Sequence, residues 1–317
     1  MRTLSQIVIV VFGLMNFAQA QVPPSITYDS LSGDWIITYQ GSQGPIEAYF
    51  VPAMKIDPTV RSEVEDGDTL RYRFAVTNGA SSRQRLLNFL LSVRSSVFNV
   101  SRPNSQWHSE SSRFLRGWEW GHTLVNRDGG PSLDMGIPRD STVGGFSVES
   151  FGLPSIVNCY FQGLTGTMTF EEEPPIEVED LLRPLETFPA NEVLLRTIGP
   201  VDPPTPFNGH VFLDTLLSYA RQSAQLGWLG RYRDDDCDED ERPDDGVVRN
   251  IENRLQKARR ELVRGDSVKA RRELEKLIRK VDRLQRRGER VMTSESYALL
   301  KYNTEYLIER LPERRRR

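Results

Sequence analysis

Between residues 246 and 312 the apolar side chains recur at steps of three and four, and they do so three times over. Val248, Ile251, Leu255, Ala258 and Leu262 make the first stripe. Ala270, Leu274, Leu277, Ile278, Val281 and Leu284 make the second, and Leu299, Leu300, Tyr306, Leu307 and Leu311 the third. Such steps put side chains on one face of a helix with 3.6 residues per turn. Gly265 and Gly288 interrupt the run, and Pro312 closes it. Asp266 or Ser267, and then Thr293 or Ser294, offer side-chain oxygens to the free N–H groups of the helix that follows. A lone helix of this kind leaves its apolar face in water, so the three must pack together. A fourth candidate lies at 210–228, where Phe212, Leu213, Leu216, Leu217, Ala220 and Ala224 keep the same spacing. These stripes predict a small antiparallel four-helix module over 208–312, with an acidic insertion at 233–246 and a basic tail at 313–317.

The hairpin LQKARRELVRGDSVKARRELEKLIRKVDRLQRRG and the following TSESYALLKYNTEYLIERLP resemble the FIMAH-like helical module found near the C-termini of bacterial exported and surface proteins. The resemblance covers roughly the last third of the chain. It implies export and association with the cell envelope rather than catalysis. This chain departs from the pattern in its heavy arginine content and in the Asp/Glu run at 234–241.

The other end agrees with export. Arg2, the apolar run 7–17 and the ending Ala18-Gln19-Ala20 read as a signal peptide over 1–20, cleaved after Ala20. The apolar run is too short for a comfortable membrane span. No later segment is apolar enough to cross a bilayer, so the expectation is a mature chain that is secreted, periplasmic or on the cell surface.

From residue 21 to 170 the periodicity changes to two. Trp35, Ile37 and Tyr39 alternate, as do Leu70, Tyr72, Phe74 and Val76, and then Leu87, Phe89, Leu91 and Val93. Asn78-Gly79 is a turn signal. Seven or more short strands separated by turns predict an antiparallel β-sandwich of immunoglobulin-like type, with a barrel as the alternative. Residues 171–207 are rich in proline and acid and read as an extended linker, within which 181–185 or 192–195 could be a short ordered piece. The expected fold class is therefore multidomain β + α, a β-sandwich followed by a small antiparallel helical bundle.

Charge is divided unevenly. Residues 247–317 hold 22 Lys/Arg against 11 Asp/Glu, whereas residues 1–246 hold 19 against 33. The two parts could attract each other, or the basic part could face an external anion. Arg259, Arg260, Arg271 and Arg272 on the helices, with Arg314, Arg315, Arg316 and Arg317 in the tail, are the candidates for that contact. Export makes the expected partner an envelope polysaccharide, an anionic lipid surface or another exported protein, not nucleic acid.

Reaction chemistry is scarcely signalled. The three histidines have no metal-ligand spacing, and neither a nucleophile elbow nor a phosphate loop occurs. No enzyme activity is expected. The stretch GWEWGH could make Trp118, Trp120 and His122 an aromatic platform for a sugar or peptide, or simply fill a sandwich core. Glu110, Glu119 and Glu149 could serve a carbohydrate-active protein only if the fold brings them together. Asp236, Asp238 and Asp240 alternate in the acidic run and could offer hard oxygens to calcium, the one cofactor considered. That run is not an EF-hand, because its sixth position would be Glu241 and its twelfth Val247. Cys159 alternates with Val157 and Phe161, which points it into a sheet core, and Cys237 sits in the acidic run. An exported chain could pair the two cysteines or leave Cys159 buried and unpaired.

Overall fold

A computed structural model describes residues 23–112, 116–122, 135–164, 176–186, 192–230 and 245–312. The expected signal peptide, the acidic run with Asp236, Cys237, Asp238 and Asp240, and the arginine tail 314–317 lie outside the described residues. The chain divides into two compact units: residues 1–50 with 168–184, and residues 51–167 with 185–317.

In the first unit β1 (Ser25–Asp29), β2 (Asp34–Gly41) and β3 (Gly44–Phe50) form an antiparallel meander in the order β1-β2-β3. The β1–β2 turn is organised by Asp29, whose carboxylate accepts from the Leu31 N–H at 3.0 Å and the Ser32 hydroxyl at 2.7 Å. Gly33 completes it at φ 70°, a left-handed conformation that glycine adopts without a Cβ clash. These three strands were expected to begin the sandwich, but they make a sheet of their own. Helix α1 (Ile176–Glu186) spans the division between the units.

The second unit contains the sandwich. β4 (Pro58–Glu65), β5 (Leu70–Asn78), β10 (Ser141–Ser150) and β7 (Val97–Ser101) form one sheet in the order β4-β5-β10-β7. The other runs β12-β11-β6-β9-β8, built from β6 (Leu86–Ser92), β8 (Trp107–Ser111), β9 (Gly117–His122), β11 (Leu153–Gly163) and β12 (Val193–Val201). Every pairing between these strands is antiparallel. Reading β4, β5, β10 and β7 as A, B, E and D, and β12, β11 and β6 as G, F and C, gives the strand neighbours of an immunoglobulin-type sandwich. The β8–β9 hairpin widens its second sheet. Inward-facing residues of both sheets share one core: Tyr72, Phe74, Val76, Phe146 and Val148 meet Phe89, Leu91, Trp120, Val157, Cys159 and Phe161. The alternating pattern of the sequence is thus used as expected.

β12 corrects the linker reading. Its Ile198 and Thr197 are buried, and residues 193–201 pair with β11 in continuous register. The acid and proline around it hid a strand that the sheet needs at its edge. Asn78 also departs from the simple turn expected. It is buried, and its amide donates to the carbonyls of Gln84 at 2.9 Å and Ile137 at 3.0 Å, tying two loops together.

Helices α2 (Gly209–Gln225), α3 (Asp245–Val263), α4 (Ser267–Arg286) and α5 (Ser294–Arg310) follow the predicted stripes. Asn208 caps α2, its Oδ1 accepting from His210 N–H at 3.0 Å, and Asp266 caps α4, accepting from Lys269 N–H at 2.9 Å. Thr293 occupies the N-cap position of α5 without a side-chain cap bond. Gly265 and Gly288 end α3 and α4 at φ 76° and 95°. Ile251, Leu255, Ala258, Leu274, Leu277 and Val281 meet in the bundle core together with Leu213, Leu216, Leu300 and Leu307.

α5 is buried on two sides. Leu300 and Leu307, with Leu311 just past its end, face the bundle, while Ala298, Leu299 and Tyr302 pack with Ile198 of the sandwich. It lies along β4, an edge strand whose outward backbone groups need partners. Glu295 accepts from the Ser62 N–H at 2.7 Å, and the Tyr302 hydroxyl donates to the Val64 carbonyl at 3.0 Å. Asn303 donates to the Pro154 carbonyl of β11 at 2.8 Å, and the Tyr219 hydroxyl of α2 donates to Ser155 at 2.8 Å. The helical module is therefore built onto the sandwich rather than tethered to it.

Candidate functional site

The aromatic residues named from sequence do not make a platform. Trp118, Trp120 and His122 alternate along β9 and share its inward face. Trp120 is fully buried, stacks on Phe89 with ring centroids 5.1 Å apart, and donates its indole N–H to the Ser101 carbonyl at 2.9 Å. Trp118 packs against the same core, and His122 is buried edge-on to Trp107. The packing demand of the sandwich explains all three. Cys159 faces the same core as a free thiol, and burial raises its pKa. Among the described residues, no group of three or more His, Cys, Asp or Glu side chains is placed to hold a metal ion.

The arginines divide. Arg259 turns to Asp214 of α2 at 3.3 Å, and Arg271 reaches Glu275 at 3.7 Å. Arg260 and Arg272 instead line a cleft of about 490 Å³ on the solvent side of the α3–α4 hairpin, with Lys257, Arg264, Lys269, Lys276, Glu261 and Glu273. Of its six cations, Arg260 and Arg272 were candidates for anion contact from the sequence. The signal for the rest was spacing: Lys257 and Arg260 of α3 and Arg264 just past its end stand at i, i+3 and i+7, and Lys269, Arg272 and Lys276 repeat those steps on α4. Each set is one stripe about 10 Å long. The tight turn at Gly265 and Asp266 folds the two stripes antiparallel, side by side.

Three of these cations are compensated nearby. Arg264 pairs with Glu261 at 3.0 Å, Lys269 with Asp266 at 2.9 Å, and Lys276 with Glu273. The hydrogen bond from Lys276 is the main cause that holds the Glu273 carboxyl below its ordinary pKa, with Lys257 and Arg254 adding to it. Among the described residues Lys257, Arg260 and Arg272 make no direct ion pair, although Lys257 acts on Glu273 and Arg272 on Asp266 through longer-range charge. Six positive and two negative side chains therefore face one concave surface. It can hold an anion by charge.

A second polar group lies on the outward face of the five-stranded sheet. Glu110 of β8 sits directly opposite Glu119 of β9, a like-charged pair. Beside it runs a ladder in which Asn88 donates to Gln162 at 2.8 Å and Gln162 donates to Glu192 at 3.0 Å. Burial pushes the Glu192 carboxyl up to about 7, with the charge of Glu119 adding to the shift and Gln162 opposing it. Burial also raises Glu119, and Glu110 raises it further. Glu149 does not join them; it belongs to the other sheet, where it pairs with Arg71 and accepts from Asn99 at 2.8 Å.

These raised values set a direction for stability. Between the unfolded carboxyl pKa and about 7, the folded chain keeps a proton at Glu192 that the unfolded chain releases. Stability contributed here is present at low pH and lost as pH rises through that window. Glu192→Gln should remove part of the fall, on the order of 1 kcal/mol, because the amide has no proton to release in that window. Thermal melts at pH 5 and pH 8 check it; equal pH dependence in the two proteins would contradict the assignment.

Residues 235–309 match the family model of the FIMAH domain. The match takes in α3, α4 and nearly all of α5, and so contains the whole basic cleft. No curated protein and no solved structure matches the chain. Among the described residues, no helix is long and apolar enough to cross a membrane.

Proposed function

We propose that the chain is a non-enzymatic binding protein of the bacterial cell surface, whose helical module attaches it electrostatically to an anionic component of the envelope. The observation that carries this reading is the α3–α4 cleft, where Lys257, Arg260 and Arg272 make no direct ion pair among the described residues. The FIMAH match and the signal-like N-terminal sequence support a surface location. An envelope polysaccharide, an anionic lipid surface or another exported protein would all satisfy the charge. Exposed contacts of this kind are screened by salt. The full chain should therefore co-sediment with insoluble bacterial envelope material at low ionic strength and be released at high ionic strength. Failure to pellet at low salt, or retention at high salt, contradicts the reading.

A carbohydrate-active role is the second reading, favoured by one observation: the raised carboxyls of Glu119 and Glu192 next to Glu110. Release of reducing ends from a polysaccharide panel, abolished by Glu119→Gln, would establish it.

A further inference from the structure

We infer that the α3–α4 cleft is a seat for one extended chain of an acidic polysaccharide, its anionic groups held by Lys257, Arg260 and Arg272 and its hydroxyls by Glu261 and Glu273. This rests on the electrostatic reading above and names the ligand class. Three features of the cleft select that class. First, it is a cleft of about 490 Å³ lined by two antiparallel cationic stripes, each about 10 Å long. A flat lipid surface leaves such a concave volume unfilled, whereas a polymer chain can lie inside it. Second, the side chains of Glu261 and Glu273 line it, and the Glu273 carboxyl is held below its ordinary pKa. Carboxylates repel phosphate-dense partners but accept hydrogen bonds from hydroxyls, and a sugar acid offers both an anion and several hydroxyl donors. Third, the cations occur in two states. Arg264, Lys269 and Lys276 are engaged by neighbouring acids, and Lys257, Arg260 and Arg272 are left for a ligand. Their guanidinium and ammonium groups suit carboxylate or sulfate, the first by a two-pronged fork and the second as a point charge.

Calorimetric titration of the full chain with galacturonate oligomers of increasing length tests the inference. Affinity should rise with length and level off once the cleft is filled. The triple variant Lys257→Gln, Arg260→Gln, Arg272→Gln should bind roughly a hundredfold more weakly, each exposed charge contact being worth about fivefold. A control carrying the same charge change outside the cleft, Arg279→Gln, Arg283→Gln, Arg286→Gln, should bind within about threefold of the parent chain. Glu261→Gln with Glu273→Gln makes the cleft more positive. It should nevertheless weaken galacturonate binding while strengthening binding of inorganic polyphosphate. Equal losses in the two triple variants would overturn the cleft as the seat and leave the electrostatic anchor standing. Binding to vesicles of anionic phospholipid but to no galacturonate oligomer would overturn the ligand class. Binding to neither, with no pelleting on envelope material, would end both readings. Circular dichroism of each variant, matching the parent helical signal, separates lost binding from lost folding.

Discussion

Phe89→Ala should lower the free energy of unfolding by about 4 kcal/mol, the cost of deleting a fully buried aromatic ring in a core that only partly collapses. Phe89 is the centre of the sandwich. Its ring stacks between Trp120 at 5.1 Å and Phe161 at 5.2 Å, its cross-strand neighbours on either side. From the opposite sheet Phe74 and Phe146 meet it edge-on at 5.5 Å and 5.6 Å. Among the described residues Phe89 makes four such ring contacts, two within its own sheet and two across to the other, each of which adds to simple burial. Urea denaturation followed by tryptophan fluorescence measures the loss. Phe98→Ala, at a partly exposed position against the exposed Phe151, is the comparison and should cost about 1 kcal/mol or less. Similar losses at the two positions would mean that Phe89 is not the keystone of the core.

Glu295→Ala should cost about 2–3 kcal/mol, because it leaves the Ser62 N–H buried without its acceptor. Glu295 is 5% exposed and holds the edge of β4 through that N–H at 2.7 Å. Ser62 in turn shares a hydroxyl hydrogen bond of 2.9 Å with Thr197 of β12, so one carboxylate braces the edges of both sheets. The helical signal and the tryptophan signal should fall together in the parent chain and in the variant, since α5 belongs to the bundle and to the sandwich surface alike. Pairing with Ser62→Ala in a double-mutant cycle isolates the contact. Independent, additive effects would show that the hydrogen bond does not join the two parts.

The helices were legible in the sequence wherever one face alone is buried. α3 and α4 show this best: their stripes, the glycines that end them and the Asp266 cap all point the same way. α5 was harder to read, because Ser296, Asn303 and Thr304 are buried polar residues on a helix covered from two directions. Burial on both sides removes the contrast on which periodicity depends. β12 was missed for a different reason. Gly199, Pro200 and the acidic stretch before it imitate a linker, and a strand at the edge of a sheet tolerates a proline that an interior strand would not.

The functional residues were legible as a composition but not as a place. Eight arginines could be named from charge alone, yet of the four among the described residues Arg260 and Arg272 share the cleft and Arg259 and Arg271 do not, and four of its cations were not among the candidates. Heptad steps of lysine and arginine on two helices become a site only when the turn between them folds the stripes together. The tryptophans mislead in the opposite sense. The GWEWGH stretch has the composition of a sugar platform, but strand alternation sends Trp118, Trp120 and His122 inward, where the sandwich needs volume.

The affinity of the full chain for polygalacturonate across a salt series tests the functional account most directly. Displacement of counterions by about three contacts, those of Lys257, Arg260 and Arg272, predicts that log K falls with log salt at a slope of about −2, by analogy with single-stranded polyanions. The triple glutamine variant should lose most of that slope together with the affinity. A slope near zero in the parent chain, or a slope and affinity unchanged in the variant, would contradict the account.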